Sequence, residues 1–191
     1  MNKFSYTMNL EPHDDGLWLE EERRETITHK KYDQSGSAAR IIGLGFRAWV
    51  RGLQSHDCRF FDVCQRNYID RFGFKDGMVL STKLGNWVSA LDQMKNRPFS
   101  IYGPSAEGFS FDEVVAISMI AACQHSQCPA LKACLFAITE TSDLNLPEYA
   151  ARDFAEGLID AGEILSDEFI TLPLAIMAAS GGPTPPTDYV I

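Results

Sequence analysis

The chain has 191 residues, 45% of them hydrophobic and 23% charged, enough for a proper core and too apolar for wholesale disorder. Its formal net charge is −9, so the average field repels phosphates and anionic lipid head groups. That counts against nucleic acid and the membrane surface as the main partner, although a local basic patch could override it. The basic stretches Arg23–Arg24 and His29–Lys31 are short and interleaved with acids.

The first fifteen residues contain no apolar run of signal-peptide length, and "FITLPLAIMAA" near the other end is about half of the ~20 residues a spanning helix needs. The expected location is the cytoplasm, where thiols stay reduced. Five cysteines, an odd number, point the same way.

Residues 3–10, "KFSYTMNL", alternate strictly, with Phe4, Tyr6, Met8 and Leu10 on one side. That period of two is the pattern of a half-buried strand. "LWLEEERRETITHKKY" fits either a returning strand or a solvated helix. Residues 1–34 are therefore expected to form a short β-like arm, possible as a hairpin.

From residue 35 to 180 the pattern is helical, and a single all-helical domain is expected. Residues 38–53 carry Ile41, Leu44, Ala48 and Trp49 at helical spacing. Residues 57–72 place Phe61, Cys64, Tyr68 and Phe72 on one stripe, with Asp57 at the start and Gly73 at the C-cap position. Residues 79–95 place Leu84, Trp87, Val88, Leu91 and Met94 on another, before "NRPF" breaks the run. "GPSAEGF" reads as a loop.

Ser110 and Glu113 then form a capping box, flanked by Phe109 and Val114 at the staple positions. "VVAISMIAAC" (114–123) is apolar on nearly every side and predicts a central helix. The next helix runs from about Pro129 to Glu140. Pro147 opens another, to about Leu165, and Ser166 caps a last one ending in "AIMAAS". Residues 181–191, rich in Gly and Pro, read as an extended tail suited to short-motif docking or to nothing. The expected fold is mostly α: an irregular six- to seven-helix bundle around a buried αα-hairpin, with a β-like N-terminal arm.

The stretch "CQHSQCPALKAC" holds three cysteines and a histidine. In one continuous helix Cys123 and Cys128 would point ~140° apart, and Cys128 and Cys134 ~120° apart. Pro129 breaks that helix, because it lacks an N–H and clashes with the preceding turn. The chain should reverse near Ser126 and start a new helix with Pro129 in its first turn. Cys123 and Cys134 then lie at similar heights on facing helices, where they pack as small hydrophobes. Cys128 sits at the tip near His125, where the helix dipole favours a thiolate. The spacing lacks the C-x2-C knuckle of zinc and iron–sulfur sites. A metal or redox site would need Cys123, His125, Cys128 and Cys134 gathered by a folded-back tip.

Other chemistry is not signalled. The glycines of "GSAARIIGLG" have neither dinucleotide-binding nor P-loop spacing, and no G-x-S-x-G or H-E-x-x-H occurs. His13, His29, His56 and His125 are scattered, and His56 and Cys58 fit an exposed cap. Asp112 and Glu113 are accounted for by capping, and "EEER" by a solvated face. The sequence thus supports a non-catalytic accessory or regulatory protein that binds a protein partner or itself, through the arm or the tail. The alternative is a thiol-redox or metal-binding protein using Cys128, His125, Cys123 and Cys134; no cofactor is named by any motif.

Overall fold

The computed structural model describes residues 38–170; the expected N-terminal arm, the end of the last helix and the tail lie outside them. Six α-helices fill this span: α1 (Ala38–Ser55), α2 (Arg59–Phe72), α3 (Phe74–Met94), α4 (Phe111–Gln124), α5 (Cys128–Thr139) and α6 (Asn145–Asp160). A seventh helix opens at residues 168–170, behind Ser166. The protein is mostly α, as its periodicity predicts, and no strand occurs among the described residues.

Helix α1 shows how packing differs from a hydropathy stripe. Ile41, Leu44, Ala48 and Trp49 are only half-buried, while Ile42, Phe46 and Val50 are fully enclosed. Its glycines turn the buried face. A Cβ on Gly45 would stand 2.8 Å from a Leu84 methyl and 2.9 Å from the Tyr68 hydroxyl, so α2 and α3 close in where no side chain stands.

Asp57 accepts the Arg59 backbone N–H (3.0 Å) and pairs with its guanidinium, which holds the Asp57 carboxyl below its ordinary range. On α2, Cys64 and Tyr68 are buried and Phe61 and Phe72 flank them, as the spacing predicts.

Helix α3 begins at Phe74, five residues earlier than its apolar stripe announces. Gly73, at φ +80°, donates to the Ile69 carbonyl to close α2 and accepts from Gly77 to open α3. Gly77 has no side chain because it rests on the backbone of α2; a Cβ there would lie 2.6 Å from Ile69 Cα.

Helix α4 carries the predicted capping box: Ser110 Oγ accepts the Glu113 N–H, and Glu113 Oε2 accepts the Ser110 N–H (2.7 Å). Every residue from Asp112 to Ala122 is buried, so α4 is the central helix. It ends in a tight reversal. Ser126 adopts φ +56°, its N–H donates to the Cys123 carbonyl, and Gln127 donates to Ala122. This six-to-one, five-to-two pattern terminates a helix and usually recruits glycine. Helix α5 restarts two residues later with Pro129 in its first turn. The reversal ahead of proline is where the sequence places it.

The same pattern ends α6 at Gly162 (φ +81°), with Gly162 donating to Ile159 and Glu163 to Leu158. Helix α6 therefore stops at Asp160, short of the predicted Leu165. An aromatic chain ties the bundle together: Phe99 packs on Phe46 (5.7 Å between centroids), Phe46 on Trp87 (5.9 Å), Trp87 on Phe154 (5.7 Å), and Phe154 on Tyr68 (6.4 Å).

Candidate functional site

The cysteine stretch sorts by position. Cys134 is buried on α5 and Cys123 half-buried at the end of α4, and burial pushes both thiols up to about 12. Cys64, on α2, is pushed to about 12 by the same cause. At neutral pH all three are thiols. Cys128 opens α5 exposed, and Arg152 of α6 donates from Nη2 to its Sγ at 3.4 Å. Arg152 is itself held by Glu148 one turn earlier (2.9 Å), and its two partners, Cys128 first, raise its pKa.

His125 does not join this group. Its Nε2 lies 2.8 Å from the Leu165 carbonyl, an acceptor that requires the proton on Nε2. Gln124 works beside it, donating to the Glu163 carbonyl and accepting the Leu165 N–H, both at 2.8 Å. One end of the α4–α5 hairpin thereby holds residues 163–165 by their main chain. Gln124 is absent from the predicted set, and no local pattern marks it. The structure brings Cys128 to Arg152 and His125 to Leu165, and gathers no three His, Cys, Asp or Glu side chains fit to hold a metal among the described residues.

A second cluster was hidden in the reading of Asp112 and Glu113 as caps. Glu113 also accepts Arg47 Nε at 2.6 Å and Nη2 at 3.0 Å, with both side chains buried. The remaining Arg47 donors reach the carbonyls of Gly103 (3.3 Å), Ala106 (3.1 Å) and Gly108 (2.6 Å). One turn on, Arg51 donates to Tyr102, and Gln54 then donates to Phe99. Positions 47, 51 and 54 share a helical face, so α1 lays a row of donors under the irregular strap between α3 and α4. Arg97 locks the strap's other end by a bidentate pair with Asp112, both contacts 2.7 Å. Apart from Arg51 Nε, which is buried with no hydrogen-bond partner among the described residues, the cluster's donors and acceptors meet one another, and it is a scaffold.

An open surface among the described residues lies between α3 and α6, which run antiparallel. Lys83 crosses the gap to the Asp153 carboxylate (2.6 Å) and carbonyl (3.1 Å). On one side of this bridge a cleft of ≈ 300 Å³ is lined by Leu146, Tyr149 and Ala150 of α6 and by Asn86, Ala90 and Gln93 of α3. On the other a cleft of ≈ 260 Å³ is lined by Asp76, Val79 and Leu80 against Gly157 and Asp160. Tyr149 is 74% exposed and Leu146 50%. In the sequence both look like ordinary apolar helix positions.

No protein-family description, no curated protein and no solved structure matches this chain. Among the described residues no helix is long and apolar enough to cross a membrane.

Proposed function

We propose that the protein is a cytosolic accessory or regulatory protein that acts by binding another protein, without chemistry of its own. The observation that carries this reading is the pair Leu146 and Tyr149, held out of the core beside a cleft floored by alanine. Exposed apolar groups around a concavity favour a protein partner, and tyrosine is enriched where binding energy concentrates. The net charge of −9 favours a protein over nucleic acid. The test is the full chain used as bait in native lysate beside its Tyr149→Ala variant. Capture of a partner, weakened by the substitution, is expected; a chain that stays monomeric and recovers nothing sinks the reading.

A thiol function at Cys128 is the second reading, and the Arg152 contact favours it. Cys128 is exposed at a helix N-terminus, and a guanidinium donates to its sulfur at 3.4 Å, the setting in which reactive thiols occur. A thiol-reagent titration of the native protein should give a fast phase that Cys128→Ser removes and Arg152→Gln slows. The buried thiols of Cys64 and Cys134 should react only on unfolding, and half-buried Cys123 more slowly than Cys128. Metal analysis of the purified chain accompanies it, and a Cys128 no faster than free cysteine ends this reading.

A further inference from the structure

The two clefts between α3 and α6 differ in chemistry, and the difference describes a partner. The first joins Leu146, Tyr149, Ala90 and Ala150 to polar side chains of α3 and to Asp153, which Lys83 neutralises. The second is acidic. Asp76 and Asp160 are both exposed there, and neither has an ion-pair partner among the described residues. Among the described residues Lys83 is the one cation lining it, and Lys83 is already spent on the Asp153 carboxylate and carbonyl. On α3 the lining of the acidic cleft runs from Asp76 to Lys83 and that of the first cleft from Asn86 to Gln93. That offset of ten residues is ~15 Å at helical rise.

We propose that this groove docks a basic amphipathic helix of a partner protein. One apolar side chain seats against Leu146 and Tyr149, and one lysine or arginine sits between Asp76 and Asp160. The inference rests on the protein-binding reading and adds the partner's chemistry to it. A helix suits the site because α3 and α6 offer no sheet edge and a helix satisfies its own backbone. Positions i and i+11 of a helix fall on one face about 16 Å apart, which matches the separation of the clefts. A second copy of this chain brings the same acids and net charge, and is disfavoured at the acidic end.

The probe is a fluorescein-labelled sixteen-residue helix-forming peptide with leucine and arginine eleven positions apart, compared with its glutamate-for-arginine counterpart. Binding to the full chain is read by anisotropy. The arginine peptide should bind at least about tenfold more tightly, and added salt should weaken it. Tyr149→Ala should weaken it about tenfold, as loss of a central aromatic anchor does. Asp76→Asn with Asp160→Asn should remove the preference between the two peptides. These positions are exposed, so the variants fold.

Absence of binding, equal binding of both peptides, or indifference to both variants overturns the proposal. A photo-reactive benzoylphenylalanine at position 149 should cross-link to the peptide; cross-links only to residues 1–37 of the chain, or to a second copy, also overturn it. A lysate partner captured equally well by the wild type and both variants refutes the groove and leaves protein binding standing. Failure of both lysate and peptide experiments refutes the two together.

Discussion

Arg47 is the residue on which most of the irregular backbone depends. Its guanidinium places all five N–H groups, two on Glu113 and three on strap carbonyls, with 3% of the side chain exposed. Removing one partner of a buried pair strands the other charge, which typically costs about 3–5 kcal/mol. Arg47→Ala should lower unfolding free energy in urea by that amount, against about 1 kcal/mol for the cap substitution Ser110→Ala. Equal costs for the two would show that the pair is not the strap's anchor. The capping box was readable because its two members stand three residues apart. The Arg47 partnership spans 66 positions, and nothing near either residue announces it.

At the scale of elements, the joins carry the information that periodicity misses. Helices α2 and α3 meet through Gly73 alone and touch through Gly77, whose missing side chain admits the α2 backbone. Backbone yields less than side chain, so Gly77→Ala forces the two helices apart. A destabilisation of about 1–3 kcal/mol is expected, the usual cost of overpacking, despite alanine's better helix propensity. A variant as stable as wild type in thermal unfolding would mean that the hairpin relaxes freely. The sequence showed the α4–α5 reversal because proline enforces it locally. It hid the start of α3, where "FKDG" carries no stripe, and it overran α6, although Gly162 marks the stop. The groove was hidden for a different reason: Leu146 and Tyr149 have the spacing of core residues, and only tertiary packing leaves them outside.

For the molecule as a whole, burial of ionisable groups sets an alkaline limit. Cys64, Cys123 and Cys134 are held protonated to about 12, and buried Tyr68 is raised well above its ordinary range. A raised pKa means the native state keeps a proton that the unfolded chain releases. Their stabilising contribution is complete below the free-thiol range, near pH 8.5, and is lost as pH rises towards 12. Each thiol steepens the fall by up to about 1.4 kcal/mol per pH unit. Urea midpoints should hold between pH 7 and 8.5 and drop steadily from 9 to 11; a flat profile to pH 11 would contradict the burial of these thiols.

The row of donors on α1 also decides how the molecule breathes. The carbonyls of Phe99, Tyr102, Gly103, Ala106 and Gly108 hang on three side chains of another helix. The strap has no private way to open: lifting it uncovers the Arg47–Glu113 charges and detaches α1 from the start of α4. In hydrogen exchange its strap amides should therefore not behave as a fast-exchanging loop, and Ser100, whose N–H sits on Asp112, should exchange together with α1 as one cooperative unit.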